Sequence, residues 1–286
     1  MNRTQIFFLA AAVLTFAVTS SRCVAQSGSG NRQAATSQAG SMAFTVNPDT
    51  AHPGLIDPSQ AKFKAPEQFF AKFETTKGDF VMEVNREWAP NGADRFYSMV
   101  KVGFFEKVAI FRAIDNFMFQ FGIHGDPKVA KAWKSASIKD DQPAGKSNVP
   151  GTISFAQTGA PNSRSSQMFI NLGNNGRSLD QGRNGGAGFY PFGQVVKGKD
   201  VIAKINTEYG ENRGNVQGDF IAEGNAYIEK KYPKIDFIKR VTILNAATPP
   251  AAGSGMKAPA AGSGMKAPAA GSGMKAPAAG SGSASR

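Results

Sequence analysis

The chain has 286 residues, with 33 Lys+Arg against 21 Asp+Glu, one Cys, two His and 22 Phe, and 41% of its residues are hydrophobic. That composition suits a folded chain with a sizeable core. It excludes a disulfide framework and leaves a Cys/His zinc site, a Cys nucleophile or a multi-His centre without its usual groups.

At the N-terminus Met1-Asn2-Arg3 precedes an apolar run from Ile6 to Val18, a polar stretch to Arg22 and the small-residue exit Cys23-Val24-Ala25. Residues 1–25 therefore read as a cleaved secretory signal peptide, because the run is too short for a span of roughly 20 residues. Cleavage would remove the only cysteine and suit a periplasmic or secreted protein with no membrane span. Residues 26–60, rich in Ser, Gly, Gln, Asn and Pro, are expected to form a flexible tether.

Residues 61–246 alternate like β-structure. Phe69, Ala71, Phe73 and Thr75 share one face and Phe80, Met82 and Val84 another, with Lys77-Gly78 between them, which predicts a hairpin. A helix is predicted over Asn91–Val102, where Phe96, Met99 and Val100 recur at helical spacing after Pro90 and before Gly103. Further strands are predicted at Ala109–Ile114, Phe117–Gly122, Thr152–Gln157, Gln167–Leu172, Phe192–Val196 and Phe237–Leu244, and a second helix near Asp200–Asn206. Short antiparallel strands with few helices indicate a mainly β barrel or sandwich. Residues 220–231 read either as an added helix packed by Ile221, Tyr227 and Ile228 or as a surface insertion.

From Ala251 the unit Ala-Ala-Gly-Ser-Gly-Met-Lys-Ala-Pro occurs three times, so 247–286 reads as a flexible tail with nothing to bury. Arg3, Arg22, Lys257, Lys266, Lys275 and Arg286 sit in these terminal segments, and what remains is mildly basic without a dense Lys/Arg stripe. Nucleic acid is not an expected partner.

Some motifs fail on inspection. Gly182-x-x-Gly185-Gly186-x-Gly188 lacks the Lys-Ser/Thr of a phosphate loop. His52 and His124 have no ligand-spaced partners, adjacent Asp140-Asp141 read as solvated acids, and Ser165-Ser166 lacks a base. No metal or cofactor is expected.

One segment, Ile110-Phe111-Arg112-Ala113-Ile114-Asp115-Asn116-Phe117-Met118-Phe119-Gln120-Phe121-Gly122, sets an arginine among apolar residues. Arg112 either points to solvent over its own stem or joins Phe117, Met118 and Gln120 as the cation, floor and amide of a peptide groove.

With Glu74-Thr75-Thr76-Lys77-Gly78-Asp79, Ala89-Pro90-Asn91, Gly103-Phe104-Phe105, Gly151-Thr152-Ile153-Ser154-Phe155-Ala156, Pro161-Asn162-Ser163-Arg164-Ser165-Ser166-Gln167-Met168-Phe169-Ile170, Leu179-Asp180 and Phe192-Gly193 in order, the chain resembles the cyclophilin-type peptidyl-prolyl isomerases. The resemblance implies a closed eight-stranded antiparallel barrel capped by two helices. It places Arg112 and Gln120 in catalysis and Phe117, Met118, Ala156, Gln157, Phe169, Leu179 and Phe189 in substrate binding. It also implies a monomer acting without a cofactor on unfolded or extended proline-containing polypeptides. Ser178 stands where well-known eukaryotic members carry Trp, Phe189 fills the slot of a groove His, Ile110-Phe111 replace Phe-His and Phe121 replaces Gly, so weak cyclosporin binding is expected. The competing readings are a non-catalytic proline-peptide-binding or chaperone module on the same barrel, and an envelope structural protein tethered by its tail.

Overall fold

The computed structural model describes residues 44–182, 187–211 and 217–244. The expected signal peptide, the first part of the tether and the repeat tail lie outside these residues.

The alternating pattern after Glu67 becomes a hairpin of β1 (Gln68–Thr75) and β2 (Gly78–Asn85), paired in register from Gln68↔Asn85 to Thr75↔Gly78. Thr76-Lys77 makes the turn, and Gly78 closes it at φ 121°, which only glycine adopts without strain. Seven more strands follow among the described residues: β3 (Val108–Ala109), β4 (Arg112–Ile114), β5 (Met118–Phe121), β6 (Thr152–Phe155), β7 (Met168–Asn171), β8 (Pro191–Lys197) and β9 (Phe237–Leu244). They form one curled antiparallel sheet, a half-barrel, in the order β3-β9-β1-β2-β8-β6-β7-β5-β4.

The closed eight-stranded barrel is thereby corrected to nine strands. The segment expected as one strand over Ala109–Ile114 breaks at Ile110-Phe111. Ile110 N–H donates to the Asp236 carbonyl at 2.8 Å, on the β9 side, while Arg112–Ile114 turn to pair with β5. The two edges of the sheet are thus consecutive in the chain, joined by covalent bonds rather than by a ladder.

The inward faces carry the phenylalanines. Phe73 stacks on Phe80 at 4.6 Å and lies 5.9 Å from Phe96, which meets Phe192 at 5.5 Å; Phe192 in turn lies 5.2 Å from Phe155. Each such burial contributes roughly 1.5–3 kcal/mol. Phe96 belongs to α2 (Pro90–Lys101), the helix expected over Asn91–Val102. Its N-terminus is capped from a distance: the backbone N–H groups of Asn91 and Gly92 donate to Asp141 at 2.7 and 3.0 Å. Asp141 also pairs with Arg164 at 2.8 Å, the two side chains being 0% and 3% exposed. Asp141 is therefore a buried cap and not a solvated loop acid.

Two further expectations are revised and one open choice is decided. The second helix is the single turn α5 (Lys199–Ile202), after α1 (Pro53–Ile56), α3 (Pro127–Lys134) and α4 (Gly176–Leu179) have added helices not foreseen. Residues 44–60, largely exposed, are nonetheless anchored at points where a tether was expected. Leu55 is buried in α1, its carbonyl accepts from Trp133 Nε1 at 2.8 Å, and Val46 N–H donates to Asp126 at 2.8 Å. The 220–231 region forms α6 (Gln217–Glu223) and α7 (Asn225–Lys231), whose Phe220, Ile221 and Ile228 build a second core with Phe111, Ile123 and Ala130. Phe111, a departure in sequence, meets Phe220 edge-on at 6.2 Å.

Candidate active groove

Strand pairing assembles the site. Arg112 on β4 lies opposite Gln120 on β5, Gln120 opposite Phe169 on β7, and Phe169 opposite Ser154 on β6. Directly opposed residues share a face of the sheet. Their neighbours Ala113, Phe119, Ile170 and Ile153, likewise opposed, fill the core on the other face. The run Met118–Phe121 is buried throughout for this reason: Met118 and Gln120 serve the outer face, Phe119 and Phe121 the inner.

The outer row lines a groove of about 320 Å³ bounded by Arg112, Phe117, Met118, Gln120, Ala156, Gln157, Phe169, Leu179, Phe189 and Gln217. All nine residues expected from sequence are thus brought together. Phe117, Met118, Phe169 and Leu179 supply the apolar floor and side. Phe189 meets Phe169 edge-on at 5.7 Å, and its N–H donates to the Leu179 carbonyl at 2.9 Å. Gln157 Nε2 donates to the Ala187 carbonyl at 2.5 Å. Ser178 is exposed and lines none of this groove.

The polar edge is a chain of side chains. Arg112 Nη1 donates to Gln120 Oε1 at 3.2 Å, Gln120 Nε2 to Gln167 Oε1 at 2.8 Å, and Gln167 Nε2 to Gln217 Oε1 at 2.8 Å. On its other side Arg112 Nη2 donates to both carboxylate oxygens of Glu211, at 2.6 and 2.7 Å. Gln167 stood within a quoted motif, but nothing in the sequence assigned Gln217 or Glu211 to the groove. Their placement depends on contacts distant in sequence, with Arg112 and with Gln167.

Beneath the floor lies a buried amide network, also unforeseen. Asn148 Nδ2 donates to Asp180 at 2.8 Å and to the Phe189 carbonyl at 2.7 Å. Asn171 Nδ2 donates to Asn148 at 3.1 Å, and Asn175 Nδ2 to both Asn171 and the Phe117 carbonyl at 2.7 Å. These bonds fix Phe117, α4 and Phe189 relative to one another, so the apolar walls are preformed.

Chemically, the groove offers an apolar slot, a fixed guanidinium, and amides with the donors and acceptors to hydrogen-bond a peptide backbone. No group of three or more His, Cys, Asp or Glu with metal-binding placement occurs among the described residues. A wider cavity of about 620 Å³ lies between residues 58–64, α2 and 136–139, but Lys62, Lys64, Arg95 and Lys139 surround it and Phe63 is its only aromatic.

A family model described as cyclophilin type peptidyl-prolyl cis-trans isomerase/CLD matches residues 70–225. A peptidyl-prolyl cis-trans isomerase of Acinetobacter baylyi is 37% identical over 134 residues, 47% of this chain and 70% of that protein. Peptidyl-prolyl cis-trans isomerase B of Escherichia coli is 32% identical over 178 residues, 60% of this chain and 97% of its own. A crystal structure of a Cryptosporidium parvum cyclophilin type isomerase aligns over 62% of this chain and 98% of its own, with TM-score 0.44 and 16% identity.

Proposed function

The chain belongs to the cyclophilin-type peptidyl-prolyl cis-trans isomerase family, and we propose that it accelerates rotation of Xaa-Pro bonds in extended polypeptides held in the Arg112 groove. The observation that carries this reading is the meeting of Arg112 with Phe117, Met118, Gln120, Phe169 and Leu179 along one cavity.

Rotation about an Xaa-Pro bond must sacrifice amide resonance, a barrier of about 18–20 kcal/mol. The twisted state leaves a lone pair on the prolyl nitrogen. A guanidinium beside it stabilises that state more than the planar one, and needs neither nucleophile nor metal. Arg112 is the cation for this role, since arginine stays charged and presents several donors in a fixed fork. Phe117, Met118, Phe169 and Leu179 hold the ring while the acyl side turns, and Gln120 keeps the guanidinium in register. Ala156 and Gln157 receive the preceding peptide.

The apolar run Ile6–Val18 and the Cys23-Val24-Ala25 exit support exported proteins as clients and a periplasmic or secreted location. The enzyme works as a monomer in this reading.

Exchange NMR on a short Xaa-Pro peptide with the full chain tests the activity. Catalysed cis/trans exchange is the expected result. Peptide line broadening with no catalysed exchange would replace it with the binding-module reading.

A further inference from the structure

The guanidinium that faces the groove is already charge-balanced. Glu211 takes Arg112 Nη2 with both carboxylate oxygens, while Gln120 takes Nη1. Glu211 ends the described stretch that follows α5, and Gln217, the first residue of α6, closes the amide chain at the opposite end of the same edge. Two groups outside the expected set therefore join the groove's polar edge: Gln217 lines the cavity, and Glu211, which does not line it, is bonded to the Arg112 that does and carries a full negative charge.

This carboxylate does little for the fold. Its side chain is 64% exposed, and a pair so placed contributes little to stability because water screens it and the side chains lose freedom in making it. Its effect falls on whatever enters the groove. Among the residues lining the cavity Arg112 alone is charged, and the chain between its terminal segments is mildly basic. An unpaired guanidinium in that setting would draw any peptide carboxylate into an ion pair. A ligand so held would bind the cation through its acid rather than through its prolyl bond. With Glu211 in place, an incoming acid must displace an acid already seated, whereas a prolyl nitrogen asks only for an N–H dipole. A lysine or arginine beside the proline meets Glu211 at the exposed mouth and gains attraction.

We propose that Glu211 determines substrate specificity in this groove, selecting proline segments flanked by basic residues and rejecting those flanked by acids. The proposal rests on the isomerase reading of the groove and adds its substrate class.

At a water-exposed mouth, one unit charge about 6 Å from another changes an equilibrium about threefold, so Lys and Glu at the same peptide position should differ by about tenfold at low salt. The test uses the full chain with peptides that carry Lys, Gln or Glu immediately before or immediately after a single proline. Their kcat/KM for cis/trans exchange and their affinity from chemical-shift titration are both measured. The wild-type chain should prefer Lys over Glu by about tenfold in at least one of the two positions, a preference that shrinks with added salt. Glu211→Gln should bring the ratio close to one, and Glu211→Lys should invert it. An unchanged ratio in Glu211→Gln and Glu211→Lys overturns the proposal, as does a wild-type chain that binds all three peptides equally. If binding shows the Lys preference and no peptide is turned over, Glu211 keeps its role and the isomerase reading alone falls.

Discussion

Removing the carboxylate of Asp141 should cost more stability than any surface change in this protein. Asp141 is 0% exposed, pairs with Arg164 at 2.8 Å, and accepts the first N–H groups of α2 from Asn91 and Gly92. Asp141→Ala would take the closest acid from a guanidinium that is 3% exposed, leaving it the Lys139 carbonyl and the longer contact of its Nε with Asp140 at 3.4 Å. Breaking a buried pair from one side costs about 3–5 kcal/mol, and with Asp140 still near Arg164 the lower end of that range, together with the lost cap of α2, is expected. In a domain of this size each 1 kcal/mol is roughly 2–4 °C in Tm, so a loss of about 10 °C is expected. Urea unfolding followed by far-UV circular dichroism at neutral pH gives the free energy. Replacing both partners, Asp141→Leu with Arg164→Met, should recover at least about half of the loss, because no buried charge is left unpaired. A single-variant loss below about 1 kcal/mol, or a double variant that costs the sum of the two singles, would refute the reasoning.

His124 gives a pH test. Its ring is buried against Phe104 and Phe44, its Nδ1 accepts the Asp126 N–H at 2.9 Å, and burial pushes its pKa down to about 4 against the pull of Asp126. The unfolded chain takes up this proton first, near pH 6.5. Stability is therefore complete above that pH and declines as pH falls through the folded value, by about 3 kcal/mol in all. Unfolding free energies between pH 7 and 4 should lose most of that slope in His124→Gln; an identical slope would contradict the assignment. Gly122→Ala tests the backbone beside the groove. Gly122 has φ 105°, and an added Cβ would lie 2.2 Å from the Ser166 carbonyl oxygen, so denaturant unfolding should show a loss of at least about 2 kcal/mol. A cost under about 0.5 kcal/mol would show that the turn yields freely.

The hairpin, α2 and the groove floor were legible because each follows from local alternation or from a short ordered motif. Arg112, Gln120 and Phe169 reach one face through strand period alone once β4, β5 and β7 are neighbours. What escaped is non-local. The break at Ile110-Phe111 depends on which partner each half of the strand finds, and Asp236 on β9's approach decides it. The 44–60 segment reads as polar and flexible, yet Leu55 and the Trp133 indole anchor it to α3. Phe111 looked like a mere departure until α6 placed Phe220 against it. Asp141 looked solvated because its partners, Arg164 and the start of α2, are far away in sequence. Glu211 and Gln217 carry no motif, and only their bonds to Arg112 and Gln167, far away in sequence, give them their places.

In the proposed mechanism the Arg112 guanidinium acts on the twisted bond rather than on the bound peptide. Exchange NMR of one Xaa-Pro peptide, with affinity taken from titration of the same samples, compares the full wild-type chain with Arg112→Ala. The catalysed rate should fall by about 10²–10³, the worth of one well-placed donor, while affinity falls far less. A rate that drops only in proportion to affinity would contradict it.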